Sequence, residues 1–231
     1  AQRLGAWCGH APELEIDLAL ANIGLDLLGK ARNFLSYAAE LNGCGDEDTL
    51  AFGRDERQYS NLLLVEQPNG NFADTIARQF FIDVWHVALY SRLVDSRDAQ
   101  LAAIAAKGLK EVRYHLRFSR GWLERLGNGT ELSNRKMQQA VDNLWRFTGE
   151  LFLADEVELS LVSRVLRLIR VSFRPNGKAR YTRRCSTPAY RSRRKRPSAA
   201  AANRGCTVNI SARCWRRCNI CSVRIPDCSG K

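Results

Sequence analysis

Apolar residues in the first two thirds of the chain recur at intervals of three and four, which is the spacing of one face of an α-helix. This pattern predicts helices over about residues 12–42, 54–65, 74–93, 99–126 and 133–151. No alternating strand pattern of useful length occurs between them. Because long, strongly periodic segments are the most reliable kind of sequence signal, we predict an all-α fold.

Local signals mark the ends of these helices. Pro12 and the acidic residues after it are typical of a first helical turn, and Gly43 is typical of a helix end. Asp98 and Ser133 stand where the fourth and fifth helices need N-caps. We expect the acidic residues 45–48 to form a loop.

Charge divides the chain near residue 160. Residues 1–159 hold 17 basic and 23 acidic side chains, whereas residues 160–231 hold 19 basic side chains and one acid. Six of the eight cysteines also lie in the second region. We therefore predict a helical domain over residues 1–159 and a basic, Cys- and Arg-rich tail over residues 160–231, which we expect to be disordered or aberrant.

Three interpretations of the tail remain open. The basic run over residues 191–196 fits a nucleic-acid arm. The spacing of Cys214, Cys218, Cys221 and Cys228 resembles a zinc site, although it is irregular and no histidine accompanies it. The third interpretation, which we favour, is out-of-frame translation, because a shifted frame of a GC-rich gene tends to give Arg-, Ser- and Cys-rich text without acids. Under this interpretation we expect the tail to have no specific nucleic-acid partner.

Several long stretches are similar to the C subunit family of bacterial phenylacetyl-CoA epoxidases. They are residues 7–29, WCGHAPELEIDLALANIGLDLLG; 31–37, ARNFLSY; 66–78, EQPNGNFADTIAR; 110–127, KEVRYHLRFSRGWLERLG; and 144–148, LWRFT. The resemblance runs from Gln2 to about Val157. The tail as it stands departs from the family, but a shifted frame of plausible codons for residues 203–221 resembles the family's C-terminal helix.

The resemblance implies a ferritin-like helical bundle inside a multicomponent monooxygenase of phenylacetate catabolism. The family's A subunit, a paralogue, holds the di-iron site and epoxidises phenylacetyl-CoA, and a flavin and iron–sulfur reductase supplies electrons. The C subunit is the structural, non-catalytic partner of the A subunit. We therefore expect no cofactor in this chain and an A subunit as its partner, with self-association as a second option.

A ferritin-like di-iron site needs Glu residues from two helices and Glu-x-x-His from two others. The candidate first-helix ligands are Asp17 and Asp26, and the candidate motifs on later helices start at Glu56, Asp83 and Glu111. Only Asp83 has a histidine, His86, three residues later. Tyr59 and Tyr114 stand where the other two histidines should be, and His115 lies one residue beyond the ligand position.

We therefore interpret Asp26, Glu56, Asp83, His86, Glu111 and His115 as relics of an ancestral site, with no metal and no catalytic residue in this chain. Buried carboxylates without a metal need cationic partners. We expect these partners to be Arg32, Arg78, Arg113 and Arg117. The alternative is a di-iron carboxylate oxygenase in its own right.

The polar cluster of Gln58, Tyr59, Ser60 and Asn61 is our candidate contact for the CoA thioester, against the plainer interpretation of a solvated helix face. Tryptophans 85, 122 and 145 are expected to be core or interface anchors. No apolar run approaches the roughly 20 residues that span a bilayer, and no secretory signal is visible, so we expect a cytoplasmic protein. The chain begins at Ala1 without Met, and we expect a few residues to precede it.

Overall fold

The computed structural model describes residues 1–43 and 45–153, and every regular element among them is helical. Seven α-helices follow one another in the order α1 Gln2–Gly5, α2 Leu14–Asn42, α3 Glu47–Phe52, α4 Leu63–Glu66, α5 Phe72–Leu93, α6 Ala99–Asn128 and α7 Glu131–Trp145. Two short 3₁₀ helices cover Glu56–Gln58 and Thr148–Phe152. The all-α bundle predicted from the sequence is confirmed.

The ends of the long helices follow their local signals. Gly43 ends α2 in the left-handed conformation, with φ 65°, and its N–H bonds back to the carbonyl of Ala39 at 3.0 Å. The Asn71 side chain caps α5, and Asp74 completes the capping box. Asp98 caps α6 by accepting the backbone N–H of Leu101 at 2.9 Å, as predicted.

Three sequence-based boundaries are wrong. Residues 54–65 do not form one helix: Glu56–Gln58 is a 3₁₀ turn, and only Leu63–Glu66 is α-helical. Helix α3 starts inside the predicted acidic loop, because Asp46 caps it through the N–H of Thr49 at 2.8 Å. The predicted fifth helix is capped by Thr130 rather than Ser133, and it ends at Trp145 instead of near residue 151.

The core forms where α2, α5 and α6 meet. Leu20 and Ile23 of α2 are fully buried, which contributes about 1.5–3 kcal/mol for each side chain. Phe72 at the start of α5 packs edge-on against Trp7 and against Trp122 of α6, with ring centroids 6.0 and 5.4 Å apart. Helix α5 is buried along almost its whole length and so occupies the centre of the described bundle.

The predictions about the tail concern residues outside the described part of the chain. These are the disordered or aberrant segment, the zinc site, the nucleic-acid arm and the out-of-frame origin of residues 160–231. Within residues 1–43 and 45–153, no helix is both long and apolar enough to cross a membrane.

Candidate functional site

A row of polar pairs joins α2 to α6. Asp26 Oδ2 lies 2.8 Å from His115 Nε2, and Lys30 Nζ lies 3.5 Å from Glu111 Oε2. Further along α2, the Tyr37 hydroxyl donates to Asp98, and Glu40 accepts a bond from Gln100 at 3.0 Å. The partners of Asp26 and Lys30 are residues 115 and 111, and those of Tyr37 and Glu40 are residues 98 and 100, so the two helices are antiparallel. We call these four pairs the polar seam.

Asp83 lies beside the seam on the central helix α5 and is fully buried. Both of its carboxylate oxygens accept hydrogen bonds: Oδ1 from Gln79 Nε2 at 2.6 Å and Oδ2 from the Ser119 hydroxyl at 2.7 Å. Burial nevertheless raises the pKa of Asp83 to about 7, because the two hydrogen bonds and the charge of Lys30 only partly oppose the loss of hydration. Asp83 therefore carries a proton for part of the time near neutral pH.

Lys30 is the cation of this interior. Lys30 is only 5% exposed. Its Nζ forms the ion pair with Glu111 and has no hydrogen-bond partner in the described part of the chain. Burial lowers the pKa of Lys30, while the carboxylates of Glu111, Asp26 and Asp83 act in the opposite direction. The ammonium of Lys30 therefore lies near carboxylates from α2, α5 and α6.

The two interior histidines are held in the neutral form. Burial lowers the pKa of His86 to about 3, with the charge of Lys30 as the next cause, and it also lowers the pKa of His115. The His86 ring packs against Trp85 and Tyr90, with centroids 5.2 and 5.9 Å apart. Since the Asp26 carboxylate only accepts, His115 Nε2 carries the ring proton.

A glycine on α6 makes room for this arrangement. A Cβ atom added to Gly108 would lie 2.9 Å from Cε1 of Tyr90 and 3.4 Å from Cδ of Lys30. Tyr90 is itself buried, and burial raises its pKa to about 12. Gly108 thus allows an aromatic ring from α5 and the lysine stem from α2 to lie against the backbone of α6.

The structure brings together five of the six predicted relic positions: Asp26, Asp83, His86, Glu111 and His115. The sixth, Glu56, is exposed on a 3₁₀ turn and is not part of the group. Of the other residues considered, Asp17 accepts the backbone N–H of Gly9 at 2.7 Å, and Tyr59 and Tyr114 are exposed.

The predicted arginine partners are wrong. Arg32 is exposed and pairs with Glu47, and Arg113 and Arg117 are exposed on α6. Arg78 is buried, but its guanidinium donates to the carbonyls of Gln67 and Pro68 and to Asn69 Oδ1, at 2.7, 3.1 and 2.6 Å. It therefore fastens the loop before α5 rather than balancing a carboxylate.

The cationic partner that sequence reasoning misses is Lys30. Two sequence signals point to it: the Asp26–Lys30 spacing of four, which puts both side chains on one helical face, and the apolar residues that surround the pair. Arginine is the more usual partner in buried ion pairs, and this general preference favours the arginines over Lys30.

A di-iron centre does not fit these residues. The ammonium of Lys30 already pairs with Glu111, and both oxygens of Asp83 are engaged by Gln79 and Ser119. Glu56, the candidate ligand in the segment that connects α2 to α5, lies on the surface. In the described part of the chain, no three His, Cys, Asp or Glu side chains converge closely enough to hold a metal ion.

The remaining candidates lie outside the seam. Residues 58–61 form an exposed stretch that begins at the last residue of the 3₁₀ turn, and the Tyr59 hydroxyl donates to the carbonyl of Ala51. Contact of these residues with a CoA thioester stays a prediction. The expected packing role is confirmed for Trp122, against Phe72, and for Trp145, whose ring centroid lies 5.9 Å from that of Phe81. His10 is exposed, and its Nδ1 lies 2.9 Å from the carbonyl oxygen of Cys8.

Comparison with known proteins agrees with the resemblance seen in the sequence. The family model described as phenylacetic acid catabolic protein matches residues 1–188, which extends beyond residue 159. The C subunit of the 1,2-phenylacetyl-CoA epoxidase of Escherichia coli (strain K12) is 81% identical over 161 residues, which are 70% of this chain and 65% of that protein. The chain thus spans 65% of the length of this curated relative. Because the family model matches most of its length, the chain belongs to the phenylacetic acid catabolic protein family.

Proposed function

We propose that this chain is a structural, non-catalytic component of a phenylacetyl-CoA epoxidase and that it supports a di-iron A subunit. Its 81% identity to the C subunit of an epoxidase supports this assignment. Phenylacetyl-CoA would then be the substrate of the complex, and the iron and the electron supply would belong to other subunits.

The proposed non-catalytic role is supported by the partners of the interior carboxylates. Asp83 accepts two protein hydrogen bonds, Asp26 contacts His115, and Glu111 pairs with Lys30. An oxygenase centre needs carboxylates and histidines that are free to bind iron and positions left open for oxygen. Here the three carboxylates are engaged by Gln79, Ser119, His115 and Lys30, which is the arrangement of a bundle that stabilises itself.

An exposed apolar surface on α2 supports the proposal that the chain binds a partner. Leu14, Leu18, Leu25 and Leu28 of α2 are 71, 57, 64 and 55% exposed. At about 100° per residue they fall within a sector of roughly 80°, and Lys30 points about 160° away from its centre. We call these four residues the leucine face. Helix α2 is thus apolar on the side away from the bundle as well as towards it, as expected for a helix covered on both sides.

Gly29 adds to this argument. It lies in the interior of α2 beside Leu28, it is exposed, and a Cβ atom there would meet nothing within 4 Å. An interior helical glycine costs about 1 kcal/mol relative to alanine. Close approach of another helix to its backbone is one way to offset that cost, so we assign the leucine face to the A subunit.

Co-expression with an A subunit tests the proposal. We expect the two chains to co-elute in size-exclusion chromatography, and we expect Leu18→Glu/Leu25→Glu to weaken the complex by about 10²-fold or more, since it places charges at the centre of an apolar interface. The matched control is Leu132→Glu on α7, which is also an exposed leucine, at 51%. Separate elution of the unmodified chains, or equal effects of the two variants, would contradict the proposal.

The alternative function is a di-iron oxygenase in its own right. It is favoured by one observation, the gathering of Asp83, His86, His115 and Glu111 in one interior. Metal analysis separates the two functions: about two irons per chain retained through dialysis would favour the oxygenase, and substoichiometric iron would favour the structural role.

A further inference from the structure

We propose that Lys30 is the built-in cation of the bundle: its ammonium balances the carboxylates of α2, α5 and α6 and thereby joins α2 to α6. The inference deepens the proposed function, because it assigns to one side chain the charge role that metal ions play in a ferritin-like centre. It rests on the proposed function only for that comparison. The contacts that carry it belong to this chain.

The first support is the position of Lys30 within the polar seam. Its pair with Glu111 lies one helical turn from the pair of Asp26 with His115, and both pairs link α2 to α6. Apolar packing between the same helices lies further towards the start of α2, where Phe118 and Trp122 pack against the buried cluster that contains Leu20 and Ile23. In the second half of α2, the pairs made by Lys30, Tyr37 and Glu40 link the helix to α6.

The second support is the balance of charge in the interior. In the part of the chain that the structure describes, the buried Lys and Arg residues are Lys30 and Arg78. The guanidinium of Arg78 is engaged instead with the loop at residues 67–69. Lys30 thus pairs directly with Glu111, and the charges of Asp26 and Asp83 also act on its ammonium. Removal of a buried partner leaves uncompensated charge, which is more costly than the absence of the whole pair.

The third support is that the fold reserves space for this side chain. The stem of Lys30 runs past Gly108, where a Cβ atom would lie 3.4 Å from Lys30 Cδ and 2.9 Å from Tyr90 Cε1. The side chain therefore passes closely between α5 and α6, and the absence of a Cβ atom at Gly108 leaves room for it.

A double-mutant cycle on the full chain tests the proposal. The variants are Lys30→Met, Glu111→Gln and the combination of both, followed by urea unfolding with helical circular dichroism as the signal. We expect Lys30→Met to lower the folding equilibrium constant by about 10²-fold. The decisive result is a change of sign: Glu111→Gln should destabilise the unmodified chain but stabilise Lys30→Met at least about tenfold, because it then removes an unpaired buried charge.

Lys107→Met is the matched control, since Lys107 is exposed on α6, and we expect it to leave the folding constant within about twofold of the unmodified chain. If Lys30→Met does not accumulate as folded protein, recovery of soluble, helical protein in the double variant replaces the unfolding measurement. Additive effects, a Lys30→Met variant as stable as the control, or a double variant less stable than Lys30→Met would overturn the proposal. All these results come from the isolated chain, so they are independent of whether it binds an A subunit.

Discussion

The buried carboxyl group of Asp83 leads to a prediction about how stability depends on pH. Burial raises its pKa to about 7, against about 3.9 for an aspartate in an unfolded chain. Between these values the folded protein holds a proton at Asp83 that the unfolded chain has released. The resulting stabilisation is complete below about pH 4 and is lost as the pH rises to about 7.

The magnitude follows from the two pKa values. Each pKa unit corresponds to about 1.4 kcal/mol, so the linkage relation gives about 3 kcal/mol at pH 5 and almost nothing at pH 8. Asp83→Asn keeps the shape of the side chain but removes its titration. Relative to the unmodified protein, the free energy of unfolding of Asp83→Asn should therefore increase by about 2–3 kcal/mol between pH 5 and pH 8.

His86 makes this comparison between variants necessary. Burial lowers its pKa to about 3, so its contribution to stability is present above about pH 6.5 and is lost as the pH falls towards 3. The two groups act in opposite directions between pH 4 and 7, so the unmodified protein alone shows little net change from them. Subtracting the two urea-unfolding curves cancels the histidine contribution, because both proteins contain His86.

Asp142→Asn on α7 is the control. Asp142 accepts a bond from Gln138 four residues earlier at 3.1 Å, as Asp83 does from Gln79, but Asp142 is exposed. Its difference from the unmodified protein should stay constant with pH to within about 0.5 kcal/mol. A constant difference for Asp83→Asn, or the same change in both variants, would refute the argument that burial shifts the pKa of Asp83.

Three further predictions concern the packing of the bundle and the gene. Gly108→Ala should destabilise the protein by about 1–2 kcal/mol, because the new methyl group meets Tyr90. Gly121→Ala has no atom within 4 Å of its Cβ position and should stabilise the protein by up to about 1 kcal/mol. Thermal unfolding that gives both variants the same sign would contradict this prediction. Arg78→Met should cost about 2–4 kcal/mol in urea unfolding through the three bonds lost to residues 67–69, and exposed Arg113→Met should cost under 0.5 kcal/mol. Sequencing the gene across codons 155–165 in independent isolates should reveal a shifted frame, and one uninterrupted frame would make the tail genuine.

The long helices are predictable because their signals are local. The start of α2 near Pro12, its end at Gly43 and the cap at Asp98 each depend on residues within one helical turn. Residues 54–65 are misassigned because their apolar spacing fits one helix. The chain forms two short elements there, a 3₁₀ turn at Glu56–Gln58 and a single α-helical turn at Leu63–Glu66. The Glu150 carboxylate, 87 positions away in sequence, accepts the N–H of Leu63 at 2.8 Å, and no local pattern could reveal that contact.

The carboxylates and histidines of the interior site are predictable from the sequence, but its cation is not. Ligand spacing selects Asp83, His86 and Glu111, because a known site geometry prescribes where such residues stand along a helix. Nothing comparable prescribes the position of a lysine that balances them. Its identity depends on which long side chain reaches the interior, and that depends on the α2–α6 register and on the space beside Gly108.

Native mass spectrometry of the chain co-expressed with an A subunit tests the central claim most directly, with the C subunit of the Escherichia coli epoxidase as the positive control for assembly. Intact complexes give the stoichiometry, and dissociation in the gas phase gives the mass, and hence the metal content, of each released chain. The proposed function predicts a heteromeric complex from which this chain is released without metal while the iron stays with the A subunit. Release of this chain with two irons bound, or the absence of any complex where the control assembles, would contradict it.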